Sequence, residues 1–484
     1  MTFIKKAPVP SENENVVILC KNVKTNKYAS LLASFGLTSL EIDYIKTEFE
    51  KKDKKIAILN QWRRVVLLVL HDKKEKEALT LEACRKAGDK IAAYLNDAKK
   101  ESVVVVDAIG DAKATLALAE GIALSNYQFI KYKTKDFEKD KHTLKSIFIN
   151  SKKINVKDIK CLQITADAVG EARTLVNEPV STLGATQLAK EFQRLGKEAG
   201  FKVTVFDKAK ITSLGMGGLL AVNLGSVDPP TFTIMEWKPN RAKNKKPIIL
   251  VGKGVVYDTG GLSLKPTPNS MDYMKCDMAG SAVVGCTMYA IAKAKLPVHV
   301  IGLVPSTDNR PGGNAYVPGD VIKMYDGQMV EMLNADAEGR MILADALSWA
   351  KQYSPELVID LATLTGAAAA AIGTFGIVAM GTASEAQKNK LKASGNNVYE
   401  RLAEFPFWEE YDELIKSDIA DMKNIGGPYG GAITAGKFLA RFTDYPWIHL
   451  DIAGPAFLQI KDSYRGKGGT GTGVRLLFDF LKSY

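Results

Sequence analysis

The segment "PIILVGKGVVYDTGGLSLKPTPNSMDYMKCDMAGSAVVGCTMYAIAKA", residues 247–294, contains strand-like, loop-like and helix-like patterns in succession. Residues 247–252 are almost entirely apolar, which is typical of a strand covered on both faces. A long glycine- and proline-punctuated stretch follows, and residues 281–294 have the apolar spacing of a buried helix. This order predicts an α/β unit with a parallel sheet.

The same alternation extends over most of the chain. In the amino-terminal third, short β-branched runs predict strands at residues 16–20, 55–60, 64–70, 102–108 and 145–150. Helical spacing lies between these runs at 74–96 and 112–127. In the remainder, strands are predicted at 202–207, 232–237, 297–305, 356–362, 376–380 and 447–453. Further helices are predicted at 162–177, 339–352, 385–405 and 473–484.

This pattern predicts a two-domain α/β protein. We expect a smaller amino-terminal α/β domain at 1–160, a linking helix at 161–180 and a larger carboxyl-terminal α/β domain at 181–484. The larger domain should contain a mostly parallel central sheet flanked by helices. Its glycine-rich loops follow predicted strands, which is where ligands bind in open α/β sheets.

Composition excludes several classes of protein. Hydrophobic residues make up 46% and charged residues 25% of the 484 residues, which is typical of a globular protein with a sizeable core. No stretch of about 18 apolar residues predicts a membrane span, and the first residues lack the apolar region of a signal peptide. The five cysteines form no CxxC pair, so we expect free thiols and a cytoplasmic location.

Nearly all of the net charge of +11 lies in the amino-terminal third. Residues 1–160 contain 31 Lys and Arg against 21 Asp and Glu. A basic domain of this kind is compatible with nucleic-acid binding. However, acidic residues are interspersed, and no pattern of aromatic and arginine residues marks a nucleic-acid platform. A solvated lysine-rich surface is the favoured interpretation, and nucleic-acid binding stays an alternative.

Acidic and basic residues gather in two stretches that each precede a predicted helix. The first stretch, after the strand at 247–252, contains Lys253, Asp258, Lys265 and Asp277. The second, "NADAEGR" at 334–340, contains Asp336, Glu338 and Arg340. The two sets converge if their strands end at one edge of one sheet. Acidic residues before helices are often simple N-caps or partners of the helix dipole, and that alternative stays open here.

The candidate metal ligands are carboxylates. The four histidines form no HxxxH or HxH pattern, so a histidine-based zinc site is poorly supported. Three carboxylates can hold two divalent ions about 3.5–4 Å apart, which clamp a water and stabilise an oxyanion. Carboxylates accept Mn²⁺, Mg²⁺ or Zn²⁺ with little discrimination. Lysine is a ligand only after losing its proton, which burial and two dications would favour.

Several motifs resemble those of the leucyl aminopeptidases, also called cytosol aminopeptidases. "NADAEGR" differs from the family signature NTDAEGR only in Ala335, and "VGKGVVYDTGGLSLKP" at 251–266 is similar to the family's VGKG…FDSGG…SxK segment. "LGMGGLLAVNLGS", "DLATLTGA", "LDIAGPA" and "GTGVRLL" match further blocks in the same order. The resemblance covers most of residues 170–484, whereas the amino-terminal third carries no comparably specific motif.

The resemblance implies a two-metal exopeptidase. Two adjacent divalent ions, zinc or manganese with magnesium and cobalt as further candidates, would be held by Lys253, Asp258, Asp277, Asp336 and Glu338. Asp258 and Glu338 would bridge the two ions, and a metal-bridging water would be the nucleophile. Lys265 would polarise the scissile carbonyl, and Arg340 would hold a bicarbonate ion that acts as general base. The residues implied to contact the substrate are Met274, Asn334, Thr363, Leu364, Gly366 and Ala453.

The implied reaction is removal of leucine-like residues from peptides with a free amino terminus. The substrate's α-amine would lie near Asp277. The resemblance also implies a homohexamer whose active sites face an internal cavity, with a role in oligomerisation as one interpretation of the amino-terminal domain. The stretch between Lys265 and Asp277 is one residue longer than in some family members, which leaves its geometry open. The residues themselves also permit a two-metal phosphoesterase, since carboxylates serve phosphate chemistry as well.

Overall fold

The computed structural model describes residues 2–21, 26–71, 73–135 and 137–484. The chain divides into two units, the first comprising 1–170 and 461–466 and the second 171–460 and 467–484. Both contain a sheet covered by helices. In the part of the chain that the structure describes, we find no helix long and apolar enough to span a membrane.

Six described strands form the sheet of the first unit. They are β1 (Phe3–Lys6), β2 (Val16–Cys20), β3 (Ile56–Asn60), β4 (Val65–Leu70), β5 (Ser102–Asp107) and β6 (Ser146–Asn150). Their order is β1-β6-β5-β2-β4-β3, and only the β3–β4 pair is antiparallel. The helices are α1 (Asn26–Ser34), α2 (Ser39–Glu50), α3 (Glu77–Asp97), α4 (Ala112–Ser125), α5 (Phe137–Asp140) and α6 (Val156–Asn177), the last of which continues into the second unit.

Apolar residues on both faces stabilise this sheet. Val17 and Leu19 of β2 pack in one core cluster, whereas Val16 and Ile18 pack in another. Because alternate residues of a strand point to opposite faces, a fully apolar strand implies two covered faces. The burial of β2 on both faces therefore follows from the uninterrupted apolar run "VVILC".

The second unit contains a larger, mixed and mostly parallel sheet. Its strands are β7 (Lys202–Phe206), β8 (Thr231–Trp237), β9 (Ile248–Gly252), β10 (Gly254–Asp258), β11 (Val300–Asn309), β14 (Leu357–Ala362), β15 (Ile377–Gly381), β16 (Leu402–Glu404) and β18 (Trp447–Asp451). The order is β16-β15-β18-β14-β9-β11-β8-β7, and β10 pairs with β11. Short strands outside this sheet are β12 (Asp320–Lys323), β13 (Met329–Met332), β17 (Met422–Lys423), β19 (Phe457–Leu458) and β20 (Gly468–Gly469).

Helices surround this sheet. They are α7 (Ala185–Ala199), α8 (Lys208–Leu214), α9 (Gly217–Asn223), α10 (Ala279–Lys293), α11 (Glu338–Ala350), α12 (Gly366–Ile372), α13 (Glu385–Val398), α14 (Glu410–Glu413), α15 (Gly431–Ala440) and α16 (Val474–Lys482). Two 3₁₀ helices, Met271–Met278 and Ala335–Ala337, lead directly into α10 and α11. Every residue of α11 is buried, so this helix lies inside the core.

The parallel centre of the sheet determines where its loops meet. β9 lies between β14 and β11 and pairs parallel with both. The carboxyl ends of these strands therefore reach the same edge of the sheet. As a result, Lys253 after β9 lies beside Thr363 after β14.

One predicted helix is wrong in its last third. The helix predicted at 385–405 ends at Val398, where Tyr399 adopts a left-handed conformation with φ 59°. Residues Leu402–Glu404 instead pair with β15 as an edge strand. Backbone hydrogen bonds to an open sheet edge outweigh the helical spacing of this stretch.

Candidate functional site

The candidate site lies at the carboxyl ends of β9, β10 and β14. Lys253 directly follows β9, and Asp258 is the last residue of β10. Asp277 lies in the 3₁₀ helix before α10, and Glu338 is the first residue of α11. Strand ends and helix starts thus bring the charged residues of both sequence stretches to one place.

Three carboxylates converge closely. Asp258, Asp336 and Glu338 each offer an oxygen, and these oxygens lie within 4.8 Å of one another. Asp258, Asp277 and Glu338 are at most 3% exposed, whereas Asp336 is half-buried. Buried carboxylates at this spacing repel one another and require nearby positive charge.

Two lysines provide part of that charge. Lys253 Nζ lies 2.7 Å from Asp277 Oδ1 and 2.9 Å from Glu338 Oε1. Lys265 Nζ lies 3.0 Å from Asp258 Oδ2 and 2.5 Å from Asp336 Oδ1. Four carboxylates therefore face two ammonium groups, and the excess negative charge attracts cations.

Two glycines make room for this arrangement. A Cβ at position 339 would lie 2.4 Å from Cε of Lys253, so only glycine lets that side chain cross the start of α11. Gly260 has φ +85°, and its Cβ would lie 2.4 Å from the Ser263 carbonyl oxygen. The turn after β10, which leads to Lys265, therefore needs a residue without a side chain.

Burial and crowding shift the pKa values of the carboxyl groups. Burial, with added repulsion from Glu338, raises the pKa of Asp277 and of Asp336, and it raises that of Asp258 to about 7. Burial would also raise the pKa of Glu338, but Lys253 and Lys265 lower it below its usual value. Glu338 is thus the member of the cluster that holds its negative charge most firmly.

The same charges act on the lysines. Burial alone would lower the pKa of Lys253, but Asp277, Glu338 and Asp258 outweigh it and raise that pKa. The pKa of Lys265 is raised in the same way, against burial, chiefly by Asp258 and Asp336. A cation that binds through Lys253 must therefore displace a firmly held proton.

The residues present fit a divalent cation. Among the described residues, Asp277 Oδ2 and Glu338 Oε2 are buried and have no hydrogen-bond partner. Buried carboxylate oxygens normally have partners, so these two are free to act as ligands. Oxygen donors with one lysine nitrogen suit Mn²⁺, Mg²⁺ or Zn²⁺.

Arg340 is held by a residue that the sequence did not indicate. Its Nη1 donates to the main-chain carbonyl of Asn424 over 2.6 Å, while its buried Nε has no partner among the described residues. Burial lowers the pKa of Arg340 to about 10, although Glu338 and Asp451 oppose the shift. The guanidinium therefore stays charged at neutral pH and can attract an anion.

Asn424 also fixes the segment that carries the acidic residues. Its Oδ1 accepts hydrogen bonds from the main-chain N–H groups of Leu333 and Asn334, at 2.9 and 3.3 Å. Its Nδ2 donates to the Asn334 carbonyl over 2.9 Å. The fully buried Asn424 side chain thus locks the backbone immediately before Asp336.

Asn309 has a comparable role on the other side of the cluster. From the end of β11, its Nδ2 donates to Asp258 Oδ1 and to the Ala335 carbonyl, both over 2.9 Å. It therefore ties the first acidic stretch to the second. In the sequence, both asparagines stand in polar stretches without a recognised motif, and only the fold reveals that they meet the site.

Three of the residues implied to contact substrate lie just after β14 and β18. The main-chain carbonyl of Thr363 accepts a hydrogen bond from Lys253 Nζ over 2.9 Å. The Thr363 hydroxyl donates a hydrogen bond to Asp277 Oδ1 over 2.8 Å. Leu364 and Ala453 both donate main-chain N–H groups to Asp451 Oδ1 over 3.1 Å. The structure thus joins the ends of β14 and β18 through one buried carboxylate.

The other three implied substrate residues lie on neighbouring elements. Asn334 directly precedes the 3₁₀ helix of Asp336, and its Oδ1 accepts from the Asp336 N–H over 2.8 Å. Met274 lies in the same 3₁₀ helix as Asp277 and is half-buried, and Gly366 is the exposed first residue of α12. No hydrogen bond links Met274 or Gly366 to the acidic cluster in the described chain.

A further buried carboxylate supports α11 from within. Asp345 accepts hydrogen bonds from the main-chain N–H groups of Leu219 and Tyr325, at 2.9 and 3.0 Å. Burial raises its pKa to about 7, and the hydrogen bonds oppose the shift. Asp345 thus anchors the start of α9 and the turn at Tyr325 to the helix that begins with Glu338.

Comparison with known proteins finds relatives along the chain. The description "Cytosol aminopeptidase family, catalytic domain" matches residues 171–478, and "Cytosol aminopeptidase family, N-terminal domain" matches 48–136. A "Probable cytosol aminopeptidase" of Chloroherpeton thalassium is 40% identical over 503 residues and covers 96% of both chains. A protein of the same description from Chlorobaculum parvum is 54% identical over 324 residues, and that match spans 66% of this chain and 64% of the relative.

Solved structures share the whole fold. A mutant of tomato leucine aminopeptidase superposes with a TM-score of 0.87 at 26% identity, covering 100% of this chain and 97% of the other. The bottromycin maturation enzyme BotP in complex with Mn superposes with a TM-score of 0.85 at 28% identity, covering 97% and 99%. These superpositions confirm the predicted two-domain α/β architecture.

Proposed function

The chain belongs to the cytosol aminopeptidase family, and on that premise we propose that it is a metal-dependent aminopeptidase with a preference for leucine-like first residues. The observation that carries this proposal is the largely buried cluster of Asp258, Asp336 and Glu338 with Lys253 and Lys265. We assign the activity to the domain at 181–484. The resemblance and the family match support the proposal together.

We propose that the site holds two divalent ions per subunit. The ligands would be Lys253, Asp258, Asp277, Asp336 and Glu338. When bound, such a pair of ions activates a water and stabilises the developing oxyanion. The Mn in the BotP structure supports manganese as one candidate, beside zinc, magnesium and cobalt.

Lys265 would act directly on the scissile carbonyl. Its ammonium group is mostly buried, and its raised pKa keeps it charged throughout the neutral range. A fixed positive donor in a site shielded from water stabilises negative charge as it develops on the carbonyl oxygen.

Arg340 would hold bicarbonate as a proton carrier. Its charged guanidinium has a buried Nε without a described partner, which a bicarbonate oxygen could satisfy. Held by Arg340, the ion would supply general-base chemistry toward the attacking water and general-acid chemistry toward the leaving amine. Asn424 would keep Arg340 oriented for this task.

The first residue of the peptide would lie between Asp277 and the residues implied to line the side-chain pocket. Its α-amine would lie near Asp277, which is already joined to Thr363. Its side chain would contact Met274, Thr363, Leu364, Gly366 and Ala453, and Asn334 would face the peptide backbone. We further propose a cytoplasmic homohexamer, as the family resemblance implies, with peptides rather than nucleic acid as its ligands.

A matched pair of peptides tests this function. One is a leucyl peptide with a free amino terminus and the other is the same peptide acetylated, each incubated with the Mn²⁺-loaded protein. We expect release of single amino acids from the free peptide only, because an acetylated amine is an amide and a poor ligand. Comparable cleavage of the acetylated peptide, or cuts at internal bonds, would overturn the proposal. Hydrolysis of a phosphate ester without peptide cleavage would favour the phosphoesterase alternative.

A further inference from the structure

The first unit contains a cavity that no part of the proposed activity uses. Its volume is about 460 Å³, within the range of pockets that bind small molecules. It lies between the edge of the sheet, formed by β3 and β4, and one side of α3. All of its lining residues belong to the described part of the first unit.

The floor of this cavity is apolar. Ile56 and Ile58 of β3 lie opposite Val69 and Leu67 of β4 in the antiparallel register, so the four side chains share one face of the sheet. On the other side, α3 contributes small residues, including Ala87. These small residues leave space above the edge strand, and Ile56 and Ile58 stay only partly buried.

The mouth of the cavity is positively charged. It contains one acidic residue and four lysines: Asp53, Lys54, Lys55, Lys86 and Lys90. Lys54 pairs with Glu48 over 3.2 Å. Lys86 and Lys90 are exposed and one helical turn apart, and within the described residues no carboxylate oxygen lies within 4.0 Å of either. Two positive charges thus face the opening of an apolar cavity.

We propose that this cavity binds a medium-chain fatty-acid carboxylate. The acyl chain covers the apolar floor, and the carboxylate pairs with Lys86 and Lys90. A sugar or nucleotide phosphate fits less well, because its hydroxyl groups would find no partners over Ile56, Ile58 and the strand residues beside them. A neutral hydrocarbon would leave the lysine charges without a counter-ion.

Calorimetric titration of the metal-loaded protein tests the chemistry of the ligand. The probes are dodecanoate, dodecanol and dodecyltrimethylammonium, each below its micelle concentration. We expect dodecanoate to bind once per chain and at least about tenfold more tightly than the cationic probe, because the ammonium head meets like charges. Equal affinity for both charged probes, or no binding of dodecanoate, would overturn the proposal.

Matched variants test the location. Ala87→Trp fills the cavity and should abolish dodecanoate binding, and Ala87→Leu serves as a milder filling variant should the first one misfold. Lys86→Glu/Lys90→Glu should weaken binding about tenfold or more. The control Lys5→Glu/Lys6→Glu makes the same charge change on β1, at the opposite edge of the sheet, and should bind normally. Unchanged binding in the filled variants, or equal weakening in the control, would refute the site.

Discussion

Replacement of Asn424 by alanine should slow peptide hydrolysis about 10- to 100-fold, although this residue is not one of the proposed metal ligands or substrate-contacting residues. Its side chain makes three hydrogen bonds to the main chain of Leu333 and Asn334. Those residues immediately precede Asp336 and Glu338. Without the amide, the backbone that presents both carboxylates loses its fixed position.

The expected magnitudes follow from those three bonds. A typical hydrogen bond contributes about 0.5–1.5 kcal/mol net, so their loss should destabilise the fold by roughly 2–4 kcal/mol. A 10- to 100-fold loss of activity corresponds to about 1.4–2.8 kcal/mol in the activation free energy. The variant should therefore fold with a lowered thermal midpoint and show a clear catalytic defect.

A second buried asparagine provides a matched control. Asn244 also makes three side-chain hydrogen bonds, accepting from the His299 N–H and donating to the carbonyls of Lys246 and His299. It lies before β9, at the end of the sheet opposite the candidate site. Asn244→Ala should lose similar stability and keep its activity.

The assay combines two measurements on both variants. Thermal unfolding followed by circular dichroism gives the stability loss, and hydrolysis of a leucyl amide by the Mn²⁺-loaded protein gives kcat and KM. Equal activity in Asn424→Ala and Asn244→Ala would refute the idea that Asn424 positions the acidic segment. Any general effect of destabilisation would appear in both variants.

Three further changes test other parts of the site. Glu338→Ala should abolish peptide hydrolysis and lower the metal content measured by plasma mass spectrometry, and two ions per subunit with normal turnover would contradict its assignment as a bridging ligand. Lys265→Ala should retain the proposed metals and lose about 10²–10³ in kcat, since it removes the proposed oxyanion donor; an effect confined to KM would show that its role is different. The pKa of Asp345 is about 7 in the folded protein, which is above its value in the unfolded chain. The contribution of Asp345 to the free energy of unfolding should therefore fall as pH rises from about 4 to about 7, by roughly 1.4 kcal/mol per pH unit. Asp345→Asn should lack this slope in thermal unfolding followed over that pH range, and an identical slope in both proteins would refute the shift.

The sequence predicted the central strands well because their signal is local. β9 and β14 are apolar at nearly every position, and such runs have few alternatives to a doubly covered parallel strand. The helix predicted at 385–405 was wrong beyond Val398 because Leu402–Glu404 pair with the open edge strand of the sheet. This pairing is a tertiary contact. Local spacing contains no information about such an edge.

The acidic residues of the candidate site were also visible in the sequence. Asp258 and Glu338 stand between a strand and a helix, and motif resemblance selected them from many other acidic residues. Asn309 and Asn424 were not predicted. Each is a single amide far along the chain from its partners, and its importance arises only from hydrogen bonds that form after folding.

The glycine at the start of α11 has a consequence for engineering heat resistance. Replacing helix glycines with alanine is a standard way to stabilise proteins, because glycine in a helix costs about 0.5–1 kcal/mol relative to alanine. At Gly339 the added methyl group would lie 2.4 Å from Cε and 2.7 Å from Nζ of Lys253. A library of variants chosen by helix propensity alone would include Gly339→Ala. That change would push the Lys253 side chain away from Asp277 and Glu338. Thermostabilisation of this protein should leave that position fixed.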